Sequence, residues 1–178
     1  MHDDIDLAGL QRGTRLLILD VDGVLTDGAL FLGDAGEQYK AFHSRDGHGL
    51  RMAMDEGLEV AILTGRQSAV VEHRLQDLGI RHCIQGRRDK GEALAQLLQQ
   101  TGHRADEAAF VGDDVVDLPA MRRVGLGIAV GDAHPFVRQH AQWVTTAGGG
   151  RGAVREVCED LLAARGRLEA VLESYLHA

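Results

Sequence analysis

Short apolar runs alternate with amphipathic segments along most of the chain. Six runs have the length and composition of buried strands, at residues 16–21, 58–64, 80–84, 108–111, 126–130 and 142–145. Helical spacing of apolar residues predicts helices over 68–79, 90–102, 117–125 and 135–141, and one long terminal helix over 151–176. Strands that alternate with helices pair in parallel through right-handed crossovers. The pattern therefore predicts an α/β fold with a doubly wound, mostly parallel sheet.

One segment breaks this alternation directly after the first strand. Residues 29–42, ALFLGDAGEQYKAF, have the pattern of two short strands around a Gly-Asp-Ala-Gly turn, which predicts an inserted β-hairpin. No internal repeat or domain linker interrupts the rest of the sequence. We therefore expect residues 1–178 to form a single domain, with a glycine-rich tail and the terminal helix over 148–178.

Composition and charge limit the classes of function. With 178 residues, 44% of them hydrophobic, the chain can bury a full core, and no apolar run approaches the length of a membrane span. The first residues lack the basic-then-apolar order of a signal peptide, so we expect a cytoplasmic protein. A net charge of −8 argues against nucleic acid or an anionic membrane as a partner. It leaves room for an anionic small molecule that is bound by local cations.

Pairs of carboxylates follow two of the predicted strands. Asp20 and Asp22 come directly after the first strand, and Asp113 and Asp114 follow the strand at 108–111. Ligands of doubly wound sheets bind at the carboxyl ends of the strands, where the strand order reverses. Four acids that meet there repel one another unless a cation lies between them, and Mg²⁺ is the usual cation when a phosphate completes its shell. The pattern therefore predicts a Mg²⁺ site.

Polar groups suited to a phosphoryl group are predicted at the same edge of the sheet. The second strand ends in LTGR, which brings the Thr64 hydroxyl, the Gly65 amide and the Arg66 guanidinium to the rim. After the third strand, Lys90 begins a helix. Hydroxyl, amide and ammonium groups around Mg²⁺ form a cradle for a phosphoryl group.

These motifs carry a resemblance to a known superfamily. Asp-Val-Asp-Gly-Val, the threonine after the second strand, the later lysine and Gly-Asp-Asp with Asp117 resemble, in that order, the motifs of haloacid dehalogenase superfamily phosphatases. Over nearly the whole chain, the sequence resembles the 3-deoxy-D-manno-octulosonate 8-phosphate (KDO 8-phosphate) phosphatase family. That resemblance rests on DVDGVLTDG, the hairpin, FHSRDGHGL, LTGR, GDDVVDLPAM and GGGRGAVREVCEDLL. It implies a Rossmann-like sheet with the hairpin in place of a cap domain, and a Mg²⁺-dependent phosphatase that releases KDO and phosphate in lipopolysaccharide biosynthesis.

The resemblance also assigns roles to the residues of the motifs. Asp20 would be the nucleophile that forms an aspartyl-phosphate, and Asp22 would be the general acid and base. Mg²⁺ would lie between the Asp20 carboxylate, the Asp22 backbone carbonyl and Asp113. Thr64 and Lys90 would hold the oxygens of the transferring phosphoryl group.

Further positions are implied around this centre. Asp114 and Asp117 would orient the metal-bound waters and the Lys90 ammonium. The substrate, a phosphorylated sugar acid, would be contacted at Asp22, His43, Ser44, Arg45, Asp46, Gly47, Arg51, Gly65, Arg66, Arg74, Lys90 and Arg151. Arg66 and Arg74 also fit independently, since one is expected to begin a helix at the rim and the other to lie about two turns along it. The family further implies a homotetramer, with the hairpins packed together and the tail of one subunit near its neighbour's site.

Several alternatives remain open at this point. The same chemistry could act on another sugar-acid phosphate, such as a sialic acid 9-phosphate. A chain of this pattern could also be a non-catalytic tetramerisation module, although the intact catalytic motifs argue against it. Arg51 and Arg74 could be solvated helix surface, His43 could be a structural residue, and the GGGRG segment could be a flexible connector.

Overall fold

The computed structural model describes residues 6–177, which form one six-stranded sheet, one separate hairpin and the helices that flank them. The strands are β1 (Leu16–Leu19), β2 (Phe31–Gly33), β3 (Gly36–Tyr39), β4 (Glu59–Leu63), β5 (His82–Ile84), β6 (Ala108–Gly112), β7 (Leu126–Ala129) and β8 (Trp143–Val144). The helices are α1 (Leu7–Gly13), α2 (Ser44–Asp55), α3 (Ala69–Leu78), α4 (Lys90–Thr101), α5 (Leu118–Met121), α6 (Pro135–His140), α7 (Ala153–Ala164) and α8 (Leu168–Ser174). Two 3₁₀ turns, Ala105–Glu107 and Val115–Asp117, flank β6.

The main sheet is parallel throughout, in the order β5-β4-β1-β6-β7-β8. The chain therefore runs outward from β1 through β4 to β5, then crosses back to β6 and continues to the other edge. All four residues of β1 are completely buried, because helices cover both faces of the sheet and leave no polar position on this strand. This topology places the carboxyl ends of β1, β4 and β6 side by side in the middle of the sheet.

The predicted α/β fold is confirmed, and each of the six predicted strands has a counterpart. The terminal helix differs, because it is two helices, α7 and α8. Gly166, at φ +67°, breaks the helical path between them. The sequence pattern gave no prediction of α1 or α2. The structure also begins α3 at Ala69, so Arg66 precedes that helix and does not begin it. Residues 1–5, on which the expectation of no signal peptide partly rests, lie outside the described residues.

The inserted hairpin is present as a separate antiparallel pair, β2 with β3, joined at Asp34 and Ala35. Its apolar side chains face outward: Leu32 is 69% exposed, and Phe31 and Tyr39 are also exposed. An isolated two-stranded ribbon is marginal in water, so the hairpin needs contacts beyond its own pairing. Within residues 6–177, no helix has both the length and the apolar content needed to cross a membrane.

Candidate active site

A cavity of about 330 Å³ opens at the carboxyl ends of the three central strands. Its lining comes from the ends of β1, β4 and β6, the start of α4 and the segment that leads into the hairpin. The residues are Asp20, Asp22, Gly28, Leu30, Thr64, Gly65, Arg66, Lys90, Asp113, Asp114 and Val116. The structure thus brings together the carboxylates, the hydroxyl and the cations that the sequence predicted at one edge of the sheet.

Three carboxylates lie close together at this cavity, of which Asp20 and Asp113 line it and Asp117 is buried behind them. Asp20, Asp113 and Asp117 each offer an oxygen within 4.8 Å of the others, an arrangement that could hold a metal ion. Burial and the negative charge of Asp117 raise the pKa of Asp20 to about 6, against the opposing effect of Lys90. Burial, followed by the negative charges of Asp117 and Asp20, raises the pKa of Asp113 to about 8. Oxygen ligands that repel one another in this way suit a hard divalent cation such as Mg²⁺.

The backbone after β1 is shaped to let these carboxylates approach. Gly23 has φ +85°, a conformation that side chains other than glycine rarely adopt. A Cβ at this position would lie 2.1 Å from Asp113 Oδ2, so any larger residue would displace the carboxylate. The glycine of the Asp-Val-Asp-Gly motif is therefore required both by the turn and by the neighbouring acid.

Lys90 links the carboxylates from the start of α4. Its side chain is only 2% exposed, and its Nζ lies 2.9 Å from Asp20 Oδ2 and 2.5 Å from Asp117 Oδ1. Burial lowers the pKa of Lys90, but the two carboxylates outweigh that effect and raise it overall. The other oxygen of Asp117 accepts hydrogen bonds from the backbone amides of Asp113 (2.9 Å) and Asp114 (3.2 Å). Asp117 is thereby fixed against the ammonium group, whereas Asp114 bonds its own neighbour, the Val115 amide.

Asp22 lies between two cations that come from different parts of the chain. Lys40 Nζ is 2.5 Å from Asp22 Oδ1, and Arg66 Nε is 3.5 Å from Asp22 Oδ2. Lys40 follows β3 of the hairpin, and the sequence motifs gave no indication of it. One signal was available: the chain contains two lysines, Lys40 and Lys90, against seventeen arginines, and both lie in this site.

Of the five predicted substrate-contacting arginines, Arg66 lines the cavity and four do not, namely Arg45, Arg51, Arg74 and Arg151. Arg51 Nη2 donates to the Asp77 backbone carbonyl at 2.7 Å, and Arg74 Nη1 bonds Asp77 Oδ2 at the same distance. The Arg74 guanidinium also lies over the Phe42 ring, 5.8 Å from its centre. Both arginines therefore interact with the C-terminal end of α3 in this chain, and their role toward a substrate stays a prediction.

The residues at the start of α2 serve contacts within the fold. Asp46 is buried and accepts hydrogen bonds from the backbone amides of Arg155 (2.9 Å) and Gly152 (3.4 Å), at the start of α7. Burial raises the pKa of Asp46, and the Arg155 amide opposes that shift. A Cβ on Gly47 would lie 2.1 Å from Arg74 Nη2, so α2 approaches that side chain closely. His43 Nδ1 is buried without a hydrogen-bond partner among residues 6–177, while Ser44 and Arg45 are exposed.

The glycine-rich segment before α7 packs on the loop that follows β1. The Gly150 amide donates to the Val24 carbonyl at 2.8 Å, and the Gly149 amide donates to Asp132 Oδ1 at 2.8 Å. A Cβ on Gly149 would lie 1.7 Å from the Gly23 carbonyl oxygen. The glycines of this segment are therefore required by close contacts within the same chain. The expectation that they approach a neighbouring subunit's site did not include these contacts.

Arg151, the one arginine of the GGGRG segment, pairs with Asp27 of the loop that follows β1. Its side chain is 70% exposed, and its Nη2 lies 3.3 Å from Asp27 Oδ2. It does not line the cavity, so a contact with substrate stays a prediction.

Comparison with known proteins places this geometry in a family. Residues 83–154 match the family model of the haloacid dehalogenase-like hydrolases. The 3-deoxy-D-manno-octulosonate 8-phosphate phosphatase of Escherichia coli K12 is 49% identical over 164 residues, which cover 92% of this chain and 87% of that protein. The chain belongs to this phosphatase family. It is therefore a phosphoric monoester hydrolase of the haloacid dehalogenase type, as the motifs predicted.

Solved structures of the same family share the fold. The KDO 8-phosphate phosphatase of Moraxella catarrhalis, in complex with a magnesium ion, a phosphate ion and KDO, has a TM-score of 0.92 at 39% identity, with 97% of this chain and 99% of that chain covered. The cobalt-bound enzyme of Haemophilus influenzae has a TM-score of 0.89 at 41% identity, with 90% and 94% covered. The predicted cofactor, Mg²⁺, is the ion named in the first of these structures, and the carboxylate cluster of this chain suits it.

Proposed function

We propose that this protein is a Mg²⁺-dependent phosphatase that hydrolyses KDO 8-phosphate to KDO and inorganic phosphate. The observation that carries the proposal is the pair Asp20 and Asp22 at one cavity. Lys90 contacts Asp20, which belongs to a carboxylate cluster suited to Mg²⁺, and Lys40 and Arg66 lie beside Asp22. Membership of the family supports the choice of substrate.

The first half of the reaction transfers the phosphoryl group to Asp20. A carboxylate oxygen of Asp20 attacks phosphorus, the bond from phosphorus to the sugar oxygen breaks, and Asp22 gives its proton to that oxygen. The Thr64 hydroxyl, the Gly65 amide and the Lys90 ammonium bind the remaining phosphoryl oxygens, where charge develops. Lys90 is already held against Asp20 and Asp117, so it needs little reorganisation at the moment of transfer.

The second half hydrolyses the aspartyl-phosphate. Asp22, now ionised, takes a proton from a water molecule, whose oxygen attacks phosphorus, and inorganic phosphate leaves with Asp20 restored. Asp20, the Asp22 backbone carbonyl and Asp113 would hold Mg²⁺, with Asp114 and Asp117 as supporting groups. When bound, Mg²⁺ offsets the negative charge that the carboxylates and the phosphate bring together.

The sugar acid would be recognised by groups beyond the phosphoryl cradle. Arg66 is 54% exposed at the rim, so its guanidinium is available to the substrate carboxylate. We propose that the segment 43–47 together with Arg51, Arg74 and Arg151 contributes further contacts. The exposed apolar side chains of the hairpin favour assembly into a homotetramer. In such an assembly these positions could meet a neighbour's site. The pathway would be cytoplasmic lipopolysaccharide precursor synthesis.

Phosphate release from a panel of sugar phosphates tests this function. KDO 8-phosphate, a sialic acid 9-phosphate, glucose 6-phosphate and p-nitrophenyl phosphate should be compared with added Mg²⁺ and after EDTA treatment. We expect the highest kcat/KM on KDO 8-phosphate and no turnover with EDTA until Mg²⁺ is restored. A preference for the sialic acid 9-phosphate would contradict the proposed substrate, and full activity without metal would contradict the proposed cofactor.

A further inference from the structure

Lys40 is a buried cation at the active site that the catalytic motifs leave without a role. Its side chain is 2% exposed, and its Nζ lies 2.5 Å from Asp22 Oδ1. A buried ammonium is costly to desolvate, so a lysine in this position needs a strong reason to be there. The ordinary reason would be to fasten the hairpin to the sheet.

The use of lysine in this chain points to a more specific reason. The chain has nineteen basic residues of the Lys and Arg type, and the two lysines lie on the two carboxylates of the Asp20 and Asp22 pair. Lys90 contacts Asp20 and Lys40 contacts Asp22. The compact ammonium of lysine fits beside a carboxylate in a narrow buried site, where the larger guanidinium of arginine needs more room.

The geometry distinguishes the two oxygens of Asp22. Oδ1 is occupied by Lys40, whereas Oδ2 lies 3.5 Å from Arg66 Nε, at the rim of the cavity. A carboxyl group that must protonate a leaving oxygen has to present one oxygen in a fixed direction, because proton transfer falls off steeply with misplacement. A contact on Oδ1 fixes the carboxyl group and leaves Oδ2 toward the cavity.

We propose that Lys40 is a positioning residue for proton transfer at Asp22. Lys40 holds Oδ1, so that Oδ2 carries the proton to the leaving sugar oxygen and later takes one from water, while the ammonium keeps its own protons throughout. The hairpin thereby supplies a group to the chemistry as well as a wall to the cavity. This inference rests on the proposed function, in which Asp22 is the general acid.

The leaving group of the substrate separates this role from simple anchoring. An alkyl phosphate releases a strongly basic alkoxide that must be protonated, whereas p-nitrophenyl phosphate releases a stable phenolate that needs no proton. The value of kcat/KM covers substrate binding and phosphoryl transfer, and in phosphoryl transfer the two substrates differ in whether the leaving oxygen needs a proton. A positioning residue for the proton therefore matters for the first substrate and little for the second.

The test is Lys40→Met, which keeps the length of the side chain and removes its charge. We expect kcat/KM for KDO 8-phosphate to fall about thirtyfold to a hundredfold, as misplacement of a proton donor does. With p-nitrophenyl phosphate, kcat/KM should change less than about threefold. Lys40→Arg should recover part of the loss. The affinity for Mg²⁺, measured by titration calorimetry, should stay within about twofold, because the Asp22 carboxylate that Lys40 contacts lies outside the cluster of three.

Gly36→Ala is the matched control for a loosened hairpin. Gly36 has φ +101° at the start of β3, directly after the turn, and a Cβ added there would have no atom within 4 Å. Alanine therefore strains the hairpin while Lys40 and Asp22 stay unchanged. Any loss in this variant should be equal for the two substrates. An equal loss in Lys40→Met, or no loss with either substrate, would overturn the proposal in favour of an anchor.

A spectroscopic measurement keeps the proposal testable if Lys40→Met folds poorly. Protein labelled with ¹⁵N-lysine has two side-chain Nζ signals, because the chain has two lysines. Asp22→Asn should shift the Lys40 signal and leave the Lys90 signal in place, and an unmoved Lys40 signal would refute the pair in solution. If the wild-type enzyme hydrolyses simple alkyl phosphates but not KDO 8-phosphate, only the proposed substrate is contradicted. The proposal for Lys40 is then tested by comparing those alkyl phosphates with p-nitrophenyl phosphate.

Discussion

Binding of Mg²⁺ should release about one proton at neutral pH, because the carboxylate cluster holds protons when no cation is bound. The pKa of Asp113 is raised to about 8 and that of Asp20 to about 6. At pH 7 the first group is about nine-tenths protonated and the second about one-tenth, which together give ~1 proton for the cation to displace. The sign follows directly: protons compete with Mg²⁺, so its affinity rises with pH. We expect Kd to fall about tenfold between pH 6.5 and 7.5 and to level off above pH 8 to 9.

Titration calorimetry in two buffers of different ionisation enthalpy measures the proton count directly. Asp113→Asn should reduce the release to about a tenth of a proton and weaken Mg²⁺ binding, since it removes the group with the higher pKa. Asp114→Asn is the comparison variant, because this neighbouring acid lies outside the cluster of three and its charge is the smallest of the causes that raise the pKa of Asp113, so it should reduce the release much less than Asp113→Asn does. A Kd that stays flat from pH 6.5 to 8.5, or the same release from both variants, would refute the reasoning.

Three further changes test the nucleophile, the glycine segment and the predicted substrate contact of Arg151. Asp20→Asn keeps the shape of the side chain but removes the attacking oxygen charge, so turnover should vanish while circular dichroism stays that of the folded protein; residual turnover above a metal-only blank would contradict a covalent step. Gly149→Ala places a Cβ against the Gly23 carbonyl and should lower the free energy of unfolding in urea by about 1–3 kcal/mol. Gly13→Ala, with no atom within 4 Å, should show no such loss. Arg151→Ala should raise KM for KDO 8-phosphate without changing the molar mass measured by light scattering, for which we expect a tetramer, and unchanged kinetics would limit the segment to packing.

The parts of the fold that the sequence predicted depend on local pattern. β1 could be recognised because each of its residues is apolar and buried. The acids that follow it were informative because carboxylates at the end of a buried strand are costly unless they are paired or bind a metal. The sheet topology then brought Thr64 and Lys90 to the same cavity. Lys90 is also at the start of a clear helix, so its position followed from the pattern.

The parts that the sequence did not predict depend on how distant segments meet. The Lys40 contact depends on the way in which the hairpin folds back over the site, which strand periodicity does not determine. The resemblance implied a substrate contact for Asp46, which stays a prediction, whereas the sequence did not indicate that Asp46 bonds the amides at the start of α7. The break in the terminal helix depended on one residue, Gly166, within an otherwise continuous amphipathic pattern.

The contact between the glycine segment and the loop after β1 has a consequence for the order in which the site is completed. The ribosome makes the Asp20 loop early, whereas Gly149 and Gly150, which pack on it, are made more than a hundred residues later. Until then the Val24 carbonyl of this loop lacks the Gly150 amide that donates to it. A nascent chain therefore contains Asp20 but not the backbone contact that supports its loop. The phosphatase therefore becomes competent late in its own synthesis, and a protease that cuts near Gly149 would disable the site without touching a catalytic residue.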